Sequence, residues 1–173
     1  MYPFTVLNTI VLRRYGARFG FYHIFVPALI KPAPAGLLTL LWALQNDGKD
    51  KPGYGDVVHL LSTGRTSLVP DPAFDTAFYK LAGYRHLGSR AVRVDILERL
   101  ADLIRPALQW REGSGALPEG AVGGGRFFVT PAMMSILGAT AEDMEAVLGS
   151  LGYRHDKVEP AEFEAKLAAL KAA

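Results

Sequence analysis

The chain has 173 residues, half of them hydrophobic, no cysteine, and a formal net charge of +2. This composition supplies a sizeable core and excludes global disorder, disulfides and cysteine zinc sites. Basic residues exceed acidic ones over residues 1–111, whereas acidic residues dominate the remainder. The start of the chain lacks the early basic region of a secretory signal, so we expect a cytoplasmic protein.

The first elements alternate between aromatic and basic segments. Residues 4–12 fit either a strand or the end of a helix, and a small basic cluster follows at Arg13, Arg14 and Arg18. Phe19–Val26 is rich in aromatic and β-branched residues, which predicts a strand. His23 lies inside it, with no other histidine or carboxylate nearby in the sequence.

A very apolar helix is predicted over 35–45, after the stiff turn at Lys31–Pro34. Leucines and Trp42 leave it almost no polar face, so it should be central to the fold or buried against a partner chain. The longer apolar run over 19–44 raises the question of a membrane span. The basic residues and prolines that interrupt it favour a buried strand followed by a buried helix, and we expect no membrane partner.

The middle of the chain predicts short elements and then one long helix. A polar loop over 46–56 leads to an apolar segment at 57–61, interpreted as a strand, and a helix is expected from Asp71 to Lys80. The stretch STGRTS at 62–67 lacks the lysine of a phosphate-binding loop. Residues 90–108 carry one leucine-rich stripe opposite charged residues, which predicts an amphipathic helix with an Asp95–Arg99 pair.

The last third is predicted to be a glycine-rich linker over 112–126 and a small helical module over 127–173. Thr130-Pro131 has the chemistry of a helix start, and Gly138 can end that helix in a left-handed conformation. Thr140 and Asp143 have the spacing of a capping box for a second helix. This pattern is typical of a helix-turn-helix or winged-helix-like module, and Pro160 begins a further helix to about Lys171.

Gly-Tyr-Arg-His occurs twice, at 83–86 and 152–155, each time at the expected end of a helix. The repetition fits either a duplicated helix-to-strand unit or a common way of leaving a helix. We find no nucleophile elbow, no metal-ligand spacing and no dinucleotide motif. The chain alone is therefore expected not to be an enzyme and to need no cofactor.

Several segments in order resemble one family. They are YHIFVPALIKP at 22–32, LLTLLWAL at 37–44, TSLVPDPAF and FYKLAGYR within 66–85, RAVRVDILERLADLIRPAL at 90–108, and FFVTPAMMSILG with LGSLGYR within 127–154. Together they resemble the region C-terminal to the motor in bacterial superfamily-two helicases of the Suv-three type. The motor's own motifs are absent from this chain.

The resemblance implies an accessory domain of an ATP-dependent helicase that contacts RNA, DNA or a partner, with the motor in cis or in trans. The expected fold is α+β and helix-rich, with a mixed domain over 1–111. Aromatic residues next to arginines can stack a base and hold a phosphate of a single strand. The candidate nucleic-acid-binding residues are Tyr84, Arg85, Arg90, Arg93, Arg126, Tyr153 and Arg154.

Two other interpretations stay open. The apolar helix over 35–45 and the Met133-Met134 pair favour a protein-interaction or scaffolding domain without a nucleic-acid role. A small winged-helix transcription factor is disfavoured, because the second helix of the pair carries Glu142, Asp143 and Glu145 and no basic residue. Such a helix would be repelled by the phosphates that flank a major groove.

Overall fold

The computed structural model describes the backbone of residues 11–172 and the side chains of residues 11–170. Most of the segment 4–12 therefore lies outside the described residues. The architecture is α+β and helix-rich, as predicted, with two small antiparallel sheets. The chain divides into two compact units: the first runs to His86 and adds Arg90–Glu98, and the second comprises Leu87–Ser89 and the chain from Arg99.

In the described part of the first unit, residues 11–14 are helical, and β1 (Arg18–Phe19) and β2 (Ile24–Phe25) form a two-stranded hairpin where a single strand was predicted over Phe19–Val26. Three helices follow, α1 (Pro32–Gln45), α2 (Asp56–Ser62) and α3 (Thr76–Leu81). The three-stranded sheet has the order β3-β5-β4, formed by β3 (Ser67–Leu68), β4 (Tyr84–Leu87) and β5 (Arg90–Arg93). The core cluster consists of Ala35, Val57, Leu61, Leu68, Phe78, Tyr79, Ala82, Tyr84 and Ala91.

Within this chain, helix α1 does not bury its leucines, so the expectation of an all-round central helix is wrong, while the alternative of burial against a partner chain stays a prediction. Its small side chains Ala35, Thr39 and Ala43 are buried instead, one helical turn apart. Spacing by four residues places them on one face, and their size lets the helix backbone approach the core closely. The opposite face carries Leu37, Leu41 and Leu44, all half exposed or more.

Two further predictions in this unit are wrong. Residues 57–61 belong to helix α2, in which Val57 and Leu61 are buried one turn apart. An apolar run this short fits both the helical and the strand period of hydrophobic residues, and in the structure it is helical. Residues 90–93 form strand β5, paired antiparallel with β3 through Ser67↔Val92 and Leu68↔Ala91.

The long helix α4 (Val94–Gln109) therefore begins four residues later than predicted. Sheet pairing overrides helix propensity over 90–93, since each strand residue gains tertiary contacts that a helix end would lack. Asp95 then lies in the first helical turn. It pairs with Arg93 at 2.7 Å rather than with Arg99, the partner that the sequence suggested.

In the second unit, α4 is followed by α5 (Pro131–Leu137), α6 (Ala141–Ser150) and α7 (Pro160–Ala172). The predicted caps are confirmed. Thr130 accepts the N–H of Met133, Gly138 is left-handed, and Thr140 and Asp143 form the reciprocal capping box. The winged-helix part of the prediction is not confirmed, since residues 153–159 have no regular secondary structure.

The glycine-rich segment is only partly a linker. Ala121 is fully buried and forms an isolated antiparallel bridge with Phe127. The N–H of Phe128 donates to the carbonyl of Gly120 at 2.8 Å, so the chain folds back on itself. The glycines at 123–125 all have positive φ, which allows this tight return. Within the described residues, no helix is long and apolar enough to cross a membrane.

Candidate nucleic-acid interface

The seven candidate residues fall into two groups. Four lie in the first unit and three in the second. The first group is Tyr84, Arg85, Arg90 and Arg93, and the second is Arg126, Tyr153 and Arg154.

Tyr84 is a core residue and not a stacking platform. Its side chain is 2 % exposed, and its hydroxyl donates to the carbonyl of Arg65 at 2.9 Å. Burial raises the pKa of the phenol, which therefore stays neutral and hydrogen-bonded. A base has no access to this ring, so Tyr84 drops out of the candidate surface.

The guanidinium groups of Arg90 and Arg93 are engaged in hydrogen bonds within the first unit. Arg90 donates from Nε and Nη2 to Ser67 Oγ on the neighbouring strand, at 3.0 and 2.9 Å. Arg93 donates from Nε and Nη2 to both carboxylate oxygens of Asp95, at 2.7 and 2.8 Å. This bidentate pair raises the pKa of Arg93 and occupies its fork of donors. Neither guanidinium presents a vacant fork to a phosphate.

Arg85 is exposed and lies beside the β1–β2 hairpin. Its Nη1 is 3.2 Å from Nε2 of His23, whose Nδ1 is 3.0 Å from Oε1 of Glu98. A guanidinium only donates and a carboxylate only accepts, so His23 bridges the two groups, with Nε2 as the acceptor from Arg85 and Nδ1 as the donor to Glu98. Glu98 also accepts the backbone N–H groups of Phe21, Tyr22 and His23. This arrangement ties the hairpin turn to α4.

The second group converges on one open groove of about 780 Å³, here called the C-terminal groove. Its walls include one face of α6, the segment 125–129, residues 152–158 and one face of α7. All of them belong to the second unit. The groove brings together Arg126, Tyr153 and Arg154, which are far apart in sequence.

The end of α6 delivers Tyr153 to the groove. Gly152 has a φ of +97° and ends the helix, and the N–H of Tyr153 donates back to the carbonyl of Leu148 at 3.0 Å. This is the hydrogen-bond pattern of a Schellman motif, in which the residue after the glycine folds back on the helix. Gly83 precedes Tyr84 in the same Gly-Tyr-Arg-His sequence but leads into strand β4, which carries the tyrosine into the core.

Two pairs of aromatic rings lie in the walls of the groove. Phe127 and Tyr153 meet edge to face with centroids 5.3 Å apart, and Phe128 meets Phe163 of α7 in the same way at 5.3 Å. Tyr153 remains partly exposed. Such rings can stack unpaired bases without regard to sequence.

Charges of both signs surround these rings. Arg126, Arg154 and Lys166 are exposed and line the groove. Three carboxylates, those of Glu145, Asp156 and Glu162, line it too, and Glu145 is 3.2 Å from His155. The groove is therefore not a strongly positive channel, and we expect affinity for a nucleic acid to be modest and sensitive to salt.

The candidate residues from the sequence did not include the three phenylalanines of the groove or its lysine: Phe127, Phe128, Phe163 and Lys166. A signal for Phe163 existed, because Phe163, Leu167 and Leu170 form the thin apolar stripe of α7, and among the described side chains of that helix these three are partly buried. Nothing local links Phe128 to Phe163, which lie 35 positions apart (163 − 128). Among the residues that the structure describes, no group of three potential ligands converges on a metal site.

Comparisons with protein-family models, with curated proteins and with solved structures return no match for this chain. The resemblance to a helicase C-terminal region therefore rests on its sequence segments alone and stays a prediction.

Proposed function

We propose that this chain is a non-catalytic accessory module of an ATP-dependent helicase and that it contacts single-stranded nucleic acid through the C-terminal groove. The observation that carries the proposal is the convergence of Tyr153 with Arg126 and Arg154, alongside a second aromatic pair. An aromatic ring beside arginines supplies base stacking and phosphate contacts in one place.

A single strand fits this groove better than a duplex does. Stacking on Tyr153 requires an unpaired base, whereas a duplex would have to be read by an inserted helix. The helix available for insertion, α6, carries Glu142, Asp143 and Glu145 near its start. These carboxylates would face the phosphates on both sides of a major groove.

The helicase context comes from the resemblance of the sequence segments. A motor supplies ATP hydrolysis and translocation, and an accessory module supplies additional contacts to the strand. Modest affinity suits this role, because a module tethered to a motor acts at high effective concentration.

The test is a titration of a fluorescently labelled 15-nucleotide strand with the full chain at low salt, read by anisotropy. We expect saturable binding, with Tyr153→Ala weakening it by about 5- to 150-fold, the equivalent of about 1–3 kcal/mol per stacked base. Tyr153→Phe is the matched control, since it keeps the ring and should bind within about twofold of the parent. No binding at tens of micromolar protein would reject the proposal.

A second candidate function is supported by the outer face of α1. Leu37, Leu41 and Leu44 are 58 %, 50 % and 58 % exposed and lie three or four residues apart on one face. A run of exposed leucines on one helix is typical of a protein-interaction surface. On this interpretation the chain is a scaffolding domain without a nucleic-acid role, and light scattering coupled to size exclusion should reveal self-association. A monomer at all concentrations would count against it.

A further inference from the structure

The N-terminal hairpin carries positive charge that the groove hypothesis leaves unexplained. The first 46 residues contain three arginines and one lysine but no Asp or Glu. The arginines Arg13, Arg14 and Arg18 all lie within or next to the hairpin and are exposed. Within the described part of the chain, none of the three forms an ion pair with a carboxylate.

The local fold fixes where these arginines lie. The helical turn at 11–14 ends at Gly16, whose φ is +82°, and the N–H of Ala17 donates to the carbonyl of Leu12 at 3.0 Å. The chain then enters β1, where Arg18 pairs with Phe25. Arg13 reaches across to the same strand, with its guanidinium carbon 5.5 Å from the ring centroid of Phe19.

Two aromatic side chains of this segment face solvent. Tyr15 is 78 % exposed, and Phe21 at the hairpin turn is 59 % exposed. Both are far more exposed than large aromatic residues usually are in a folded chain. Exposed rings that alternate with exposed arginines are the combination by which single strands are held without sequence preference.

Across the residues that the structure describes, the acidic group bonded to the hairpin turn, Glu98, forms no ion pair with any of the three arginines. It is only 12 % exposed and is engaged by three backbone N–H groups and by His23. The same contacts hold the turn in place. Through His23 they also position Arg85 beside the hairpin, which adds a fourth exposed cation to the surface.

We propose that residues 13–25, together with Arg85, form a second surface for single-stranded nucleic acid, here called the basic hairpin. The three N-terminal arginines contact phosphates, and Tyr15 and Phe21 stack unpaired bases. The choice of ligand rests on the proposed function, but the surface is separate, because the basic hairpin belongs to the first unit and the groove to the second.

The test uses the full chain and three arginine substitutions made together, Arg13→Gln, Arg14→Gln and Arg18→Gln. The control removes three exposed cations elsewhere in the first unit and in α4, by Lys49→Gln, Arg65→Gln and Arg99→Gln. For the hairpin variant, we expect the affinity for a labelled single strand at low salt to fall about tenfold or more. The slope of log affinity against log salt should become shallower by about 2, because three phosphate contacts contribute about 0.7 each.

A second variant keeps the charges and removes the rings, by Tyr15→Ser together with Phe21→Ser. It should weaken binding to a single strand and leave binding to a duplex of the same length unchanged, while Tyr15→Phe with Phe21→Tyr should bind as the parent does. Far-UV circular dichroism identifies any variant that has lost its fold.

The outcomes separate the two proposals. If the parent binds and only groove variants weaken binding, the basic hairpin is refuted and the groove stands. If the parent does not bind at all, both fail. If vesicles containing phosphatidylserine bind the parent through these arginines while oligonucleotides do not, the surface recognises a membrane and the inference is overturned.

Discussion

Replacement of Glu98 removes the acceptor on which the hairpin turn depends. Its carboxylate accepts the N–H groups of Phe21, Tyr22 and His23 and contacts His23 Nδ1 at 3.0 Å. A hydrogen bond to a charged group contributes about 1.5–3 kcal/mol, but water can reach the more exposed of these donors once the carboxylate is gone. We therefore expect Glu98→Ala to lower the free energy of unfolding by about 2–3 kcal/mol in total. The thermal midpoint should fall by about 4–10 °C.

Gly20 gives an independent view of the same contact. A Cβ at this position would overlap the carboxylate of Glu98, while the backbone of Gly20 is not in the left-handed region. Gly20→Ala should therefore destabilise the parent protein by displacing Glu98, and should cost less than about 0.5 kcal/mol in the Glu98→Ala background. Two fully additive costs would refute this account of the hairpin.

Urea denaturation measures the four free energies of this cycle. Amide hydrogen exchange of a peptide that covers residues 18–25 shows where the change occurs, because the amides of Phe21, Tyr22 and His23 should lose protection first. Glu98→Gln is the matched control: it keeps one oxygen acceptor and loses the charge, so its cost should lie between zero and that of alanine. Unchanged exchange in Glu98→Ala would contradict the reasoning.

Three further predictions concern single side chains. Gly138 has a φ of +59° and Gly149 lies inside α6, and an added Cβ meets nothing within 4 Å at either. In urea denaturation, Gly138→Ala should lower the free energy of unfolding by about 1 kcal/mol, whereas Gly149→Ala should raise it by about 0.5–1 kcal/mol. Changes of the same sign in the two variants would contradict this prediction. Asp75 caps α3, and its pKa is lowered chiefly by the hydrogen bond from the N–H of Ala77. The contribution of this carboxylate to the free energy of unfolding is present above the unfolded pKa of about 3.9 and is lost as the pH falls through the lower folded pKa. The free energy of unfolding of Asp75→Ala should therefore be about 1 kcal/mol lower than that of the parent at neutral pH, and the two values should converge in strong acid. A difference that stays constant with pH would refute the role of the charge. Tyr84→Phe should cost about 1 kcal/mol of stability and leave nucleic-acid affinity unchanged, and weaker binding without lost stability would return Tyr84 to the interface.

The sequence predicted those features whose physics is local. A helix cap depends on residues three positions apart, so Thr130, Gly138 and Thr140 could be assigned from the chain alone. The α+β, helix-rich class was also predicted correctly. The apolar segment at 57–61 and the strand at 90–93 were misassigned because their conformation depends on packing partners elsewhere in the chain.

In the candidate site, too, local features could be predicted from the sequence and long-range contacts could not. Tyr84 and Tyr153 share the local motif Gly-Tyr-Arg-His, yet one is buried in a sheet and the other borders a groove. The difference lies in the segment after each helix, a paired strand in one case and irregular chain in the other. The contact between Glu98 and the hairpin spans 75 to 77 residues, and no local pattern could have predicted it.

The most direct test of the central claim, that the groove contacts a single strand, is the salt dependence of binding for the parent and for Arg126→Gln with Arg154→Gln. With three to six phosphate contacts, the parent should show a slope of log affinity against log salt of about −2 to −4. The groove variant should be shallower by about 1.4, whereas a control with Arg99→Gln and Arg111→Gln should keep the parent slope. Identical slopes for the parent and the groove variant, or no saturable binding of the parent at low salt, would contradict the claim.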